Sequence, residues 1–360
     1  MSNDGIGSLS LDLKKLKLPA WLTLGSPAEG GSAGLKAKYP PVAMDMGANR
    51  LTLVRLGKDR AKKWKLTSFD LVEVPPDLID SEFFRVKIKS ADRFAALVAG
   101  ALQKEGVKTS SISMVLPDHL ARVALLPFEE LPRTRREVMD MVRWKMKKAV
   151  PFKVEDAMVD YQVMPGPDGK GYMLIAVLIP NGIVEEHEAI FQKQGIHPGL
   201  IDLSSFSLAH LYQPVIEKEV PVGGDFMLLN VATAFFTLMI FREGRLMFYR
   251  CKTFSFGGED SPESRARLVR REIQTSLLYY QERLSGRGLS RVYMRVEGHD
   301  PEQVASMFEG APVAAPPEMI DPGRVVDLSG RIAAVGPERA AEVLQRIAPA
   351  VGAALGRSGS

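Results

Sequence analysis

At 360 residues, with 46% hydrophobic and 25% charged side chains, the chain has material for two domains and more than one core. Its 47 Lys and Arg against 43 Asp and Glu make a mild positive surplus, which suits an acidic partner or anionic lipid and falls short of a nucleic-acid binder. The lone Cys251 excludes an intramolecular disulfide and a cysteine metal cluster, and no run of about 18 apolar residues offers to cross a membrane.

Residues 1–39 read as a tail. Leu9 to Leu24 is interrupted by Asp12, Lys14, Lys15, Lys17 and Pro19, which is no secretory signal core, so a cytoplasmic protein is expected. Gly, Ser and Pro crowd residues 25–34 as in a flexible linker. The segment before it, ending at Trp21, is a docking peptide, a membrane-touching segment or an idle tail.

From Pro41 the pattern turns to strands. Val42–Met46 and Leu51–Leu56 predict a hairpin and Lys65–Val74 a third strand. Ala91–Glu105 predicts a helix with Phe94, Leu97, Val98, Ala101 and Leu102 on one face, closed by Gly106. Ser111–Leu116 follows as a strand. A helix from Arg133 to Val150 is halted by Pro151, with Met139, Val142, Met146 and Val150 on its apolar face. Arg135, Arg136, Arg143, Lys145, Lys147 and Lys148 crowd the rest, either as a solvated face or as a contact with an anionic membrane surface or an acidic partner domain. Strands at Met158–Met164 and Tyr172–Ile179 flank the turn 165–169, and a helix runs from Gly182 to Gln194. The whole reads as an α-β-β-α insertion, 121–195, between two parts of a first lobe, 40–120 and 196–222. Leu203–Leu211 reads as a buried helix. Past Gly223-Gly224 a second lobe, 223–356, repeats the three-strand opening at Phe226–Val231, Phe235–Phe241 and Arg245–Tyr249. A long helix, Ser261–Leu284, and a strand, Arg291–Val296, continue it. The fold class expected is α/β, two-lobed, with internal duplication.

Other chemistry is sparse. His119, His187, His197, His210 and His299 lack metal-ligand spacing. Glu185-Glu-His-Glu188 reads as an exposed polar helix face, since adjacent helical residues diverge. Tyr279-Tyr280 and the methionines of 139–146 read as core.

Five segments in order carry a resemblance. They are Leu131-Pro132 through Ala149-Val-Pro-Phe152, then Glu155-Asp-Ala-Met-Val-Asp-Tyr-Gln-Val163, then Gln194-Gly-Ile-His-Pro-Gly-Leu-Ile-Asp202 with Phe206-Ser-Leu-Ala209. The last two are Glu272-Ile-Gln-Thr-Ser-Leu-Leu-Tyr-Tyr280 and Ile347-Ala-Pro-Ala-Val-Gly352. In these the chain resembles the PilM family of actin-like, FtsA-related proteins of the type IV pilus inner-membrane platform. The resemblance implies an actin-like fold. It also implies a cytoplasmic place at the inner membrane and a PilN-like bitopic partner whose N-terminal peptide docks beside 150–163, at Pro151, Phe152, Asp160 and Tyr161. The nucleotide site departs from the family pattern. After Asp45 and Gly47 come Ala48, Asn49 and Arg50 where hydroxyls and a lysine belong. Asn230-Val-Ala232 replaces the second Asp-x-Gly, and Val296-Glu-Gly298 carries one glycine instead of a pair. The degenerate site is therefore Asp45, Gly47, Asn49, Arg50, Asn230 and Gly298, with no catalytic residue, no metal site and no cofactor expected. Arg50 either places a charge where phosphate would lie or merely caps the turn or faces solvent. The competing readings are an ATP- and Mg-dependent assembly factor, an FtsA-like filament and a secretion-system relative.

Overall fold

The computed structural model describes residues 40–166, 169–254 and 261–355. The tail 1–39 and the middle of the 165–169 turn lie outside the described residues.

The first lobe opens with β1 (Val42–Met46), β2 (Arg50–Lys58) and β3 (Trp64–Glu73) as an antiparallel meander. A small hairpin follows, β4 (Ile79–Glu82) and β5 (Arg85–Ile88), then α1 (Ala91–Lys104) and β6 (Ser111–Leu116), which lies parallel to β1. After β7 (Arg122–Phe128), α2 (Arg135–Met146), β8 (Ala157–Pro165), β9 (Tyr172–Pro180) and α3 (Asn181–Gln192), the chain returns with β10 (His197–Leu203), parallel to β6, and α4 (Ser204–Glu219). The second lobe repeats the plan. β11 (Asp225–Val231), β12 (Phe235–Arg242) and β13 (Arg245–Thr253) form a meander, α5 (Pro262–Arg283) crosses over, and β14 (Leu289–Val296) pairs parallel with β11. Then come α6 (Pro301–Ser306), the short β15 (Glu318–Met319) parallel to β14, α7 (Ser329–Ile332) and α8 (Pro337–Ala354).

Strand order is β10-β6-β1-β2-β3 in one sheet and β15-β14-β11-β12-β13 in the other. The two sheets match strand for strand in order and direction. This is the duplication expected from the sequence, now fixed by register.

A third sheet, β7-β9-β8, belongs to the inserted unit. Its strand β7 is not among the strands expected from sequence; Pro127 has no N–H to pair and is tolerated because β7 is an edge strand. β9 is apolar throughout because both its faces are covered. Leu174, Ala176 and Leu178 join Val138, Val142 and Met146 of α2 in the insertion's own core, and Ile175, Val177 and Ile179 point into the first lobe. Helix α2 is shorter than expected, beginning with a capping box of Thr134 and Glu137 and ending four residues before Val150.

Two boundaries drawn from sequence are corrected. Helix α3, placed with the insertion, packs Ile183, Val184, Ile190 and Phe191 into the first lobe's core, against α1 and β10. Helix α8, placed in the second lobe, packs instead on α4 and on β1, β2 and β6. There Gly352 meets the carbonyl oxygen of Ser207, leaving no room for a Cβ. Helix α4 continues to Glu219 past Pro214, and its residues Phe206 and Tyr212 contact Tyr249 and Tyr293 of the second lobe at ring distances of 5.8 and 5.1 Å. The lobes thus share apolar surface as well as polar contacts.

Candidate functional site

The strand ends of both lobes converge on one crevice, where open α/β sheets usually place ligands. From the first lobe come Asp45, the β1–β2 turn, the short 3-10 turn Asp118–Leu120 after β6, and Ser204 and Ser205 opening α4. From the second come the β11–β12 turn at Ala232–Ala234 and the end of β14 at Arg295 and Glu297. Asp45, Gly47, Asn49 and Arg50 line the crevice together, and the cavity left between them and the second lobe is about 40 Å3. That admits a few water molecules, against the several hundred Å3 of a small-molecule site.

Charge fills the crevice. Arg50 of β2 is 6% exposed and pairs across the lobes with Glu297, which is 9% exposed. Glu297 also holds Arg295, 2% exposed. Arg50 therefore neither caps the turn nor faces solvent. Arg295 donates from Nε to the Gln345 carbonyl of α8 at 2.9 Å and from a terminal nitrogen to Asn230 Oδ1 at 3.1 Å. Asn230, fully buried behind the cavity, donates from Nδ2 to the hydroxyls of Ser204 and Ser205 at 3.1 Å each. Ser205 completes the chain with its N–H at 3.0 Å from Asp118 and its hydroxyl on the same carboxylate. An unbroken set of polar contacts therefore runs from α8 through the second lobe to α4.

Burial sets the protonation of these groups. Asp45 is pushed up to about 6 by desolvation, with the nearby Arg295 and Arg50 pulling the other way. Asp118 is raised by desolvation against the hydrogen bonds from Ser205. Desolvation also lowers Arg50, and lowers Arg295 to about 10. His119, beside the crevice, falls to about 4 because it is buried, and its Nε2 meets the Ser81 hydroxyl of β4 at 2.8 Å.

The glycines serve the turns themselves. A Cβ on Gly47 would sit 2.7 Å from the Arg50 carbonyl oxygen, so the hairpin alone requires glycine there. Gly298 has φ +72° and packs against Thr233 at the crevice rim.

The expected docking residues fall into two groups. Pro151 is exposed; Phe152 is half-buried and meets Phe84, at the tip of the β4–β5 hairpin, edge-on at 5.4 Å. Asp160 pairs with Arg135 at 2.7 Å, and that guanidinium lies over the Tyr161 ring at 5.5 Å. β8, which carries Asp160 and Tyr161, pairs with β9 on one side and with no other described strand. Sequence reasoning missed Arg295, Glu297, Asp118, Ser205 and Gln345. A visible signal was Arg295 itself, a charge inside the apolar run Val292-Tyr-Met-Arg-Val296.

Among the described residues no cluster has the makings of a metal site, and no helix is long and apolar enough to cross a membrane. In Glu185–Glu188 the histidine is buried, contrary to the exposed face expected, with Nδ1 against the Ile183 carbonyl at 2.7 Å. Tyr280 is core, while Tyr279 is exposed.

Two lobes of identical strand order facing across a crevice at their strand ends define an actin-like fold. The sequence profile of the family described as type IV pilus assembly protein PilM matches residues 43–268, and the chain belongs to that family. Among solved structures it is similar to a PilM–PilN type IV pilus biogenesis complex, at 17% identity over 87% of this chain and 97% of that one, with a TM-score of 0.70. Weaker likenesses include a Bacteroides thetaiotaomicron protein with an actin-like ATPase fold, 10% identical over 79% and 91% of the chains, TM-score 0.44. Another is the cytoplasmic domain of EpsL, an inner-membrane component of the Vibrio cholerae type II secretion system, 7% identical over 71% and 81%, TM-score 0.42. Comparison with curated protein sequences finds no match.

Proposed function

We propose that this chain is a non-catalytic adaptor of a type IV pilus inner-membrane assembly platform, resident in the cytoplasm and peripheral at the membrane. Its partner would be a PilN-like bitopic protein, whose N-terminal cytoplasmic peptide docks near Pro151, Phe152, Asp160 and Tyr161. Family membership supports the pilus role, and the structure of a PilM in complex with PilN supports the partner. The free edge of β8 suits an extended peptide, which would add backbone hydrogen bonds there and place apolar side chains beside Phe152.

The observation that carries the non-catalytic part is the Arg50–Glu297–Arg295 cluster across the crevice. Glu297 neutralises the two guanidiniums that phosphate would need and places a carboxylate where anionic oxygens would approach. Asn230 and Ala232 remove a carboxylate and a close backbone approach. ATP and Mg therefore fit this residue set poorly. The test is titration calorimetry with ATP–Mg beside phosphate release, together with pull-down by N-terminal peptides of bitopic proteins encoded nearby. Micromolar ATP affinity with turnover overthrows the non-catalytic reading, and failure of every such peptide overthrows the docking one. Restoring Asn230→Asp with Ala232→Gly should leave turnover absent, since Arg50 and Glu297 still fill the crevice.

A further inference from the structure

Helix α2 has two unlike faces. Val138, Val142 and Met146 are buried in the insertion's core. On the opposite side Arg136, Asp140, Arg143, Trp144 and Lys147 follow one another at three- and four-residue spacing, and Arg133 and Lys148 stand at the two ends. Trp144 is 77% exposed. Its ring, with Pro132, Met141 and the carboxylates of Glu137 and Asp140, lines a shallow recess. Both carboxylates are already engaged. Glu137 accepts from the Thr134 hydroxyl at 2.7 Å in the helix cap, and Asp140 pairs with Arg143 at 3.6 Å.

The cations are less committed. Arg135 turns to Asp160, and Lys145 to the Pro127 carbonyl and the Phe128 ring. Among the described residues the exposed Arg133, Arg136 and Lys148 make no ion pair, and Lys147 meets Glu155 only at 3.9 Å. The face therefore carries a surplus of positive charge around a protruding indole. A recess this open does not enclose a peptide chain. A bilayer interface suits the combination better: an aromatic ring seats at headgroup level, and long cationic side chains lay their stems along apolar surface while their heads reach lipid phosphates. Each Lys or Arg held near an anionic leaflet strengthens partitioning about fivefold.

We propose that this face of α2 rests on an anionic lipid surface, with Trp144 at headgroup depth and Arg133, Arg136, Lys147 and Lys148 on lipid phosphates. The contact fixes which side of the protein meets the bilayer. It deepens the peripheral membrane placement given under the proposed function and rests on it. Peptide capture at the β8 edge is measured separately by pull-down, so either reading can fail alone.

The test uses the full chain with Trp21→Phe and Trp64→Phe, which leaves Trp144 as the sole indole of the three, so that fluorescence reports α2 and not residues 1–39. Vesicles of phosphatidylcholine with about one third phosphatidylglycerol should shift Trp144 emission to the blue, and added salt should reverse the shift. Lipid brominated in its upper acyl chain should quench the same emission. Arg136→Glu, Lys147→Glu and Lys148→Glu together should raise the lipid concentration at half-shift by about a hundredfold, with the parent's far-UV circular dichroism retained. An unshifted Trp144, or an equal shift on pure phosphatidylcholine, overturns the proposal. An unchanged half-shift in the charge-reversed chain also overturns it. So does a shift produced as readily by polyglutamate, in favour of an acidic protein partner.

Discussion

Replacing Glu297 is the sharpest probe of how the lobes are held. Among the described residues Glu297 is the one carboxylate ion-paired with both Arg50 and Arg295, with Asp45 acting on both electrostatically, and all three of the ion-paired residues are nearly excluded from water. Glu297→Gln leaves two buried guanidiniums facing an amide, and breaking a buried pair from one side costs about 3–5 kcal/mol. Arg50→Met removes a cation whose Nε finds no hydrogen-bond partner, and it leaves Glu297 still paired with Arg295. Its cost should be about 1 kcal/mol or less, since the remaining carboxylate keeps Arg295 as its ion-pair partner and no buried charge is left uncompensated. Glu297→Gln made on top of Arg50→Met should cost about 1–3 kcal/mol, because Arg295 keeps Asn230 and Gln345 as partners. Urea unfolding at pH 7 followed by far-UV circular dichroism gives the three values. Equal losses for Glu297→Gln and Arg50→Met would sink the shared-carboxylate account, and so would a neutral Glu297→Gln.

Asp45 ionises near 6 in the folded protein instead of near its ordinary 3.8. The native state therefore holds the extra proton between those values, and stability falls as pH rises through that window, by at most about 3 kcal/mol. Asp45→Asn should be more stable than the parent at pH 7 and lose the advantage near pH 4; a pH-independent difference between the two refutes this. Gly352→Ala drives a methyl onto the Ser207 carbonyl and should cost about 1–3 kcal/mol by parting α8 from α4, and an unchanged thermal midpoint would show that the helices slide freely. Phe152→Ala, at a half-buried ring, should cost less than the roughly 3–5 kcal/mol of a fully buried phenylalanine. Partner-peptide affinity should meanwhile fall by about tenfold or more, the equivalent of about 1.4 kcal/mol. Loss of folding and binding together would remove Phe152 from the docking site.

Sequence pattern placed the strands best where burial is two-sided, as in β9, and the helices where one face is continuous, as in α1. It missed the β4–β5 hairpin for a concrete reason. Phe84 occupies positive φ (58°) in the turn where glycine or asparagine would have signalled one. It misplaced α8 because an apolar stripe says that a helix packs, not upon which sheet. In the crevice Asp45, Gly47, Asn49 and Arg50 were legible as neighbours because a hairpin turn joins them. Their partners Glu297 and Arg295 arrive from the other lobe, some 250 residues along the chain, and no local spacing encodes that meeting. Asn230 was legible as a departure from the family pattern, but its link to Ser204 and Ser205 depends on how α4 enters the crevice.

The return of α8 to the first sheet bears on synthesis order. β2 ends at Lys58 and α8 begins at Pro337. At 5–20 residues per second, the roughly 280 residues between them take on the order of 15–60 s to translate. Throughout that interval the face of β1 and β2 that α8 will cover has no lid, and β6 and the flank of α4 around Ser207, once made, wait uncovered with it. The second lobe has all its strands before the first lobe is sealed. The nascent protein therefore carries an open apolar sheet face late into synthesis, and it is in this partly made form, more than in the finished one, that it should depend on chaperones.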